Sequence, residues 1–310
     1  MNLSTRILET TTTPQLDALQ IVFTRMAVTW ALGTAYMWYA RVPDFLLGPP
    51  GVRGLLFARG FVGFFGLFGM YFSLRYLSLS DATVITFLAP PLSGYAASVF
   101  LGESFGAVEK VAAFTSFAGV VLVAQPAPLF PLKEEPSTIN VTAAQKLVAL
   151  LVALSGVLGA TGAFLIVRRI SYRAHPLVVV NYFSMCCVLV SGLALALTPS
   201  LGFVLPVGGR QWGLLALIGV FGFLYQAMLT AGLQREKPGR ATNMIYLQMF
   251  FAFVFQWALW HQLPSALELA GTGIILVSAV AVAASKTAPE PAPAEVVYEM
   301  AALRPSNEIS

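Results

Sequence analysis

Residues 82–88 read Ala-Thr-Val-Ile-Thr-Phe-Leu, and residues 241–247 read Ala-Thr-Asn-Met-Ile-Tyr-Leu. A constant offset of 159 positions relates the two stretches and holds without a gap further along the chain, where it matches Glu109 to Glu268 and Val123 to Val282. Most of the matched residues are apolar. An internal repeat of long apolar segments is typical of membrane proteins built from two homologous halves, so we expect a fold of that kind.

The composition places the chain in a lipid bilayer. Hydrophobic residues make up 57% of the 310 residues and charged residues only 10%, whereas soluble domains contain roughly 25% charged residues. The positions of the basic residues therefore matter more than the net charge of +4, and nothing indicates a nucleic acid partner. The two cysteines, Cys186 and Cys187, are adjacent and cannot form a disulfide framework.

Long apolar segments predict the membrane-spanning helices. About 20 apolar residues are needed to cross the hydrocarbon core, and nine segments meet that length: 19–40, 54–74, 82–101, 106–125, 145–167, 177–198, 211–233, 241–261 and 264–285. The fold class that follows is an all-α integral membrane protein, a polytopic helical bundle of two inverted repeats. Pro90-Pro91 falls in the middle of the third segment and predicts a kink with freed carbonyl groups there.

The alignment of the halves also predicts the domain organisation. Residues 1–125 form the first repeat, 126–143 a non-cytosolic linker, 144–285 the second repeat, and 286–310 a disordered cytosolic tail rich in Ala, Pro and Glu. The repeat alignment places the start of the chain opposite the end of a helix in the second half. We therefore expect about 20 further apolar residues upstream, which would bring the span count to ten.

Basic residues predict the orientation, because cytosolic loops carry an excess of Lys and Arg. One set of alternate loops, together with the C-terminal tail, holds 12 basic residues, namely Arg41, Arg53, Arg59, Lys110, Arg168, Arg169, Arg173, Arg235, Lys237, Arg240, Lys286 and Arg304. The other set holds six, namely Arg6, Arg25, Arg75, Lys133, Lys146 and Arg210. The C-terminus is then cytosolic, and the sequon at Asn140 lies on the translocated side as a glycosylation candidate. The predicted location is either the plasma membrane or an endomembrane.

Several loose motifs carry a family resemblance. They are Arg59-Gly60, Tyr71 to Leu77, Asp81 to Pro90 and Leu101-Gly-Glu103 in the first half, and Gly219 to Gly222, Ala241 to Tyr246 and Gly271 to Ile275 in the second. In these motifs the chain resembles the EamA-type branch of the drug/metabolite transporter superfamily, and it looks most like the G-type members of solute carrier family 35. The resemblance implies a ten-helix carrier with inverted repeats, a central cavity and alternating access.

Polar residues inside apolar spans are costly, so they are candidates for a cavity lining. Asn243 and Tyr246 lie three residues apart and can face one ligand, with Gln248 on the same segment. Asn181-Tyr182 is a similar pair in the sixth segment. The alternative for all five residues is hydrogen bonding to neighbouring helices instead of a solute.

Charged residues within the spans offer further candidates. Arg25 lies about two turns into its segment and could bind an anionic solute through its forked donors; the alternatives are a side chain that snorkels outward or a structural ion pair. Arg59 is expected at the cytosolic interface. Glu103 ends its segment without an acidic counterpart in the second half, where His261-Gln262 replaces Gly102-Glu103. Glu103 and Pro90 are therefore candidates for coupling or gating.

Glycines at short intervals predict close contacts between helices. Two such motifs match in the alignment, Gly63-Phe-Phe-Gly66 and Gly219-Val-Phe-Gly222. Others are Gly156/Gly159/Gly162 and Gly271/Gly273.

The function predicted from these patterns is transport of a small organic solute through a central cavity by alternating access. An anionic or zwitterionic metabolite is preferred because of Arg25 and the lack of acidic residues at the centre of the spans. The sequence has no His-Glu-x-x-His, no Gly-x-Ser-x-Gly and no Cys/His spacing typical of metal sites. We therefore predict no enzyme, no cofactor and no metal. A non-transporting scaffold or regulator that keeps the transporter fold is the alternative, and a homodimer stays open.

Overall fold

A computed structural model describes residues 18–77, 79–125, 143–197, 208–251, 254 and 265–285. Within these ranges the regular structure is entirely helical. The sequon at Asn140, nearly all of the predicted linker, the C-terminal tail and the beginning of the chain lie outside the described residues, so the predictions made for them stay predictions.

The described helices follow the predicted apolar segments. Their bounds are Ala18–Tyr39 (α1), Arg53–Tyr76 (α2), Leu79–Thr86 (α3), Ala89–Phe100 (α4), Ala107–Ala124 (α5), Ala143–Ile170 (α6), Pro176–Leu197 (α7), Gly209–Arg235 (α8), Pro238–Asn243 (α9) and Ala266–Ala284 (α10). Short 3-10 turns occupy Pro50–Val52, Ser171–Arg173 and Met244–Tyr246. The predicted segment 241–261 is described only over its first half.

Seven helical segments among the described residues are long and apolar enough to cross a membrane. They coincide with predicted spans, and α1 adds another helix of 22 residues. Large apolar side chains also cover much of the outer surface, for example Phe57, Phe61 and Phe65 along α2. An exposed apolar surface of this kind suits lipid and not water. The chain is therefore a polytopic helical membrane protein, as the composition predicts.

The third predicted span is broken, as Pro90-Pro91 predicts. Helix α3 ends at Thr86 and α4 begins at Ala89, immediately before the two prolines. Proline lacks the backbone N–H that an α-helix needs at each interior position. Pro91 therefore cannot donate to the carbonyl of Phe87, four residues before it, and that carbonyl is left open to another donor.

Glycines bring two helix pairs into close contact. Helix α2 packs on α6, where a Cβ on Gly69 would lie 2.7 Å from Cα of Gly156, and Gly66 faces the backbone of Ala160. Helices α5 and α10 meet similarly at Gly119 and Gly271. The prediction fails at Gly273, where an added Cβ would meet nothing within 4 Å, since this glycine lines an open apolar groove between α5 and α10.

Candidate functional site

Buried polar atoms without a hydrogen-bond partner mark the interior of the helix bundle. They belong to Arg25, Arg59, Glu103, Ser116, Thr161, Asn181, Gln226 and Asn243. Most buried polar groups in proteins have a hydrogen-bond partner, and a buried group without one costs about 1–3 kcal/mol of stability. Atoms of this kind on several helices therefore indicate where a solute or water would find partners.

Asn243 is the strongest of the predicted lining residues. It ends α9 with only 1% of its surface exposed, and neither Oδ1 nor Nδ2 has a hydrogen-bond partner among the described residues. A primary amide in this state can both donate to and accept from a ligand. Gln248, in contrast, is exposed and is not one of the buried unpartnered groups.

Tyr246 has a structural partner in this conformation. Its ring stacks on Phe87 with centroids 5.3 Å apart and an interplanar angle of 17°. Its hydroxyl donates to the Phe87 carbonyl at 3.0 Å, which is the carbonyl that Pro91 leaves open. Phe87 and Tyr246 are also matched by the repeat alignment. A contact between equivalent residues is expected where an approximate two-fold axis relates the halves. In this conformation Tyr246 therefore bonds to another helix and not to a solute, which is the alternative predicted for it.

The Asn181-Tyr182 pair is split between two environments. Nδ2 of Asn181 donates to Oγ1 of Thr34 in α1 at 2.8 Å, whereas its Oδ1 has no partner and is buried. The hydroxyl of Tyr182 donates to the Leu47 carbonyl at 2.8 Å, in the loop between α1 and α2. Asn181 therefore stays a candidate for the cavity, and Tyr182 fixes a loop to α7.

Arg25 and Arg59 are both 5% exposed. The guanidinium carbon of Arg59 lies 4.4 Å from the centroid of the Phe183 ring in α7, so this side chain is buried against a neighbouring helix; its location at the cytosolic interface stays a prediction. A cation can be stabilised over an aromatic face in this way. Sequence periodicity did not reveal this position; the available signal was Gly63, which follows Arg59 by one turn and leaves room for its Nη1.

Arg25 points into the bundle and does not snorkel outward. A Cβ added at Gly222, the midpoint of α8, would lie 2.9 Å from Nε of Arg25. That nitrogen has no hydrogen-bond partner. Among the described residues, ion pairs join Arg168 to Glu103 and Arg240 to Glu236. Arg25 therefore forms no ion pair with a described carboxylate, which was one of the alternatives predicted for it.

An ion pair joins the two halves at one end of the bundle. Nε of Arg168 in α6 contacts Oε1 of Glu103, just after α4, at 2.5 Å. Nη1 of Arg168 also donates to the carbonyl of Gln234 near the end of α8 at 3.1 Å. Both charged side chains are mostly buried. We call these three residues the end latch, since they tie three helix ends together.

No group of three His, Cys, Asp or Glu side chains in the described part of the chain is placed to hold a metal ion. The arrangement offers hydrogen-bonding and cationic groups inside a membrane-spanning bundle, which is the kind of surface that binds a polar solute during transport.

The fold and these interior polar groups define the class as a multi-pass membrane protein of the transporter type. Comparison with known proteins gives the family: residues 5–125 and 147–284 match the EamA-like transporter family. The chain belongs to this family, which confirms the resemblance given by the sequence motifs.

Curated relatives agree with this assignment. The probable transport protein YPL264C of Saccharomyces cerevisiae is 38% identical over 295 residues, covering 90% of this chain and 83% of the relative. The pseudopaline exporter CntI of Pseudomonas aeruginosa PAO1 is 28% identical, covering 87% and 88% respectively. Human solute carrier family 35 member G1 is 27% identical over 77% of this chain and 65% of that protein. The family and the names of these relatives indicate a membrane transporter.

A solved crystal structure shares the fold. It superposes with a TM-score of 0.71 over 90% of this chain and 92% of the other, at 19% sequence identity.

Proposed function

We propose that this protein moves a small organic solute across a membrane by alternating access through a central cavity. The observation that carries the proposal is the set of buried, unpartnered polar atoms inside a helical bundle of a transporter family. Asn243, Asn181 and Arg25 line the solute path from three different helices. The two repeats form the two halves of the carrier, and the C-terminus is cytosolic.

The end latch supports alternating access. Glu103 belongs to the first half, whereas Arg168 and Gln234 belong to the second. A contact between the halves at one end closes that end while it persists. Opening the same end requires the ion pair to break, so Glu103 acts in gating.

The test is a paired profile of intracellular and extracellular metabolites. It compares cells lacking the gene with cells expressing the wild-type chain, Asn243→Ala or Ser98→Ala. Ser98 is the matched control because its hydroxyl bonds only within its own helix, to the Tyr95 carbonyl. We expect a solute to change sides with the wild-type chain and with Ser98→Ala, and to do so far less with Asn243→Ala.

Equal profiles in all four cell lines, with membrane expression confirmed, would contradict transport. That result would favour the alternative of a scaffold or regulator that keeps the transporter fold. A profile that changes with expression but is the same for Asn243→Ala would keep transport and remove Asn243 from the solute path.

A further inference from the structure

We infer that Arg25 and Arg59 together form a binding site for a small organic dianion at the centre of the helix bundle. This inference rests on the proposed transport function and names the class of solute. It follows from four observations on the two side chains: their direction, their lack of counter-charge, the space left for them and the surfaces around them.

The two arginine side chains enter the interior of the bundle from neighbouring helices and reach the central parts of α7 and α8. Arg25 lies in the first third of α1, and its Nε reaches Gly222 at the midpoint of α8. Arg59 lies near the start of α2, and its guanidinium group reaches Phe183 in α7. Met26, which follows Arg25 in α1, and Phe183, which lies under Arg59, belong to one buried cluster with Cys187 at the midpoint of α7. Nη1 of Arg59 lies at Gly63, one turn further into α2, and Nε of Arg25 lies at the midpoint of α8, so both side chains extend toward the middle of the bundle.

Neither cation is neutralised by the protein residues that the structure describes. Nε of Arg25, and Nε and Nη1 of Arg59, are buried without a hydrogen-bond partner. An uncompensated charge within a membrane span is strongly unfavourable. Other arginines in the bundle do find partners, as Arg168 does with Glu103. An anionic partner would stabilise two buried positive charges in this part of the bundle, and a solute can supply it.

One glycine from each of the two matched motifs makes room for a guanidinium group. Gly63 and Gly222 belong to the two Gly-x-x-Gly motifs that the repeat alignment pairs. Nη1 of Arg59 occupies the space where a Cβ on Gly63 would lie, and Arg25 occupies the space beside Gly222. A side chain at either glycine would displace an arginine. The motif therefore serves the two cations as well as helix packing.

The surroundings select the class of ligand. The Phe183 ring and the apolar side chains of Met26 and Val22 form one cluster with Cys187, so this wall offers little competition for an anion. The planar fork of arginine matches the two oxygens of a carboxylate or a phosphate. Two guanidinium groups in one interior region can bind either a dicarboxylate or a phosphate monoester, each of which carries about two negative charges near neutral pH.

The test measures binding by the purified full chain in detergent, so that translocation is not required. The probes are malonate, succinate, glutarate and glycerol phosphate at equal ionic strength, with succinamate and succinamide as the matched monoanion and neutral compound. We expect at least one dianion to raise the thermal unfolding midpoint by several degrees. Succinamate should do so less than succinate where succinate binds, and succinamide should have no effect.

Variants separate binding from a structural role. Arg25→Met and Arg59→Met should each weaken dianion binding at least ten-fold. Each should also raise the midpoint of the ligand-free protein, because an unpaired buried charge is removed. Arg173→Met is the control, since Arg173 is exposed in a loop, and it should change neither quantity. If a Met variant does not fold, Arg25→Lys and Arg59→Lys can replace it. They keep the positive charge but lack the paired N–H donors of the guanidinium group, so they should still weaken binding.

The outcomes distinguish this site from the transport function. A dianion response that survives both Met variants, or no response beyond that of succinamide, overturns the dianion site. A metabolite profile that identifies an uncharged solute would overturn it too, while leaving transport intact. Specific binding without any change in the metabolite profile would support the site and contradict the proposed transport.

Discussion

Tyr246 and Asn243 lie three residues apart, but their side chains meet different surroundings. The Tyr246 hydroxyl donates to the Phe87 carbonyl, which has lost its own helical donor to Pro91. The Asn243 amide is equally buried and has no hydrogen-bond partner in the described part of the chain. At the scale of single residues, one side chain thus joins the halves and the other is available to a ligand.

This difference predicts opposite effects of two substitutions. Tyr246→Phe keeps the stacked ring but leaves the Phe87 carbonyl without a donor, so the free energy of unfolding should fall by about 1–3 kcal/mol. Asn243→Ala removes an amide that bonds to nothing and should leave stability nearly unchanged while it reduces transport. Unfolding in detergent and solute flux, measured on both variants, check the prediction. A large loss of stability in Asn243→Ala alone would contradict it.

The end latch predicts that Glu103 controls access at its end of the bundle. Hydrogen bonds to charged groups contribute about 1.5–3 kcal/mol, so Glu103→Gln should raise the open population roughly ten-fold or more. Ala97 in α4 is almost fully buried close to the latch, and Ala97→Cys provides a reporter for maleimide labelling. Labelling should be several-fold faster when Glu103→Gln is added.

Glu236→Gln is the control for the latch. Glu236 approaches Arg240 only at 3.9 Å and is 59% exposed, and exposed pairs of this kind contribute little. Its effect on Ala97→Cys labelling should be small. Equal labelling rates in the wild-type, Glu103→Gln and Glu236→Gln backgrounds would exclude the latch as a gate.

At the scale of elements, the helix contacts depend on backbone approach more than on side-chain interlocking. Helices α2 and α6 meet at Gly66, Gly69 and Gly156, where backbone atoms of one helix lie against those of the other. Small residues permit such contacts between membrane helices, and dispersion then stabilises the pair. A methyl group added at Gly69 would meet backbone atoms, which cannot move aside as the end of a flexible side chain can.

Gly69→Ala should therefore destabilise the protein. The new Cβ would lie 2.7 Å from Cα of Gly156 and 2.8 Å from the carbonyl oxygen of Val152, and overpacking of this kind costs about 1–3 kcal/mol. Gly54→Ala in the same helix is the control, because its Cβ would meet nothing within 4 Å. The thermal midpoint should fall in the first variant and be unchanged or slightly higher in the second. Equal midpoints would contradict the packing argument.

The helices were predictable because twenty consecutive apolar residues have few other stable states in a membrane. The break before Pro90 was predictable for a similar local reason. The 3-10 turn at Met244–Tyr246 was not, because the second half has no proline at the corresponding position. The burial of Arg59 was missed as well, since in a span that is apolar on all sides the sequence does not reveal which face meets α7.

At the scale of the whole molecule, contacts between loops limit the possible topology. Tyr182 bonds Leu47 in the first loop, Arg168 bonds Glu103, and Lys237 bonds Ser104. The basic-residue count assigns all of these loops to one set of alternate loops. Their mutual contacts agree with a common side of the membrane for that set, whereas the choice of side rests on the positive-inside rule alone.

Membrane-impermeant maleimide labelling of variants with one added cysteine each tests both parts of this topology. Leu46→Cys lies in the first loop, where Leu46 is 69% exposed, and Gly209→Cys lies at the start of α8 with open space around it. The native cysteines are buried within α7 and should give little background. In intact cells, or in vesicles of known sidedness where the protein resides internally, Gly209→Cys should react from the non-cytosolic side and Leu46→Cys only after permeabilisation. The reverse pattern would invert the orientation and keep the arrangement of spans. Reaction of both variants from one side would contradict the arrangement itself, because an even number of crossings would then separate the two positions.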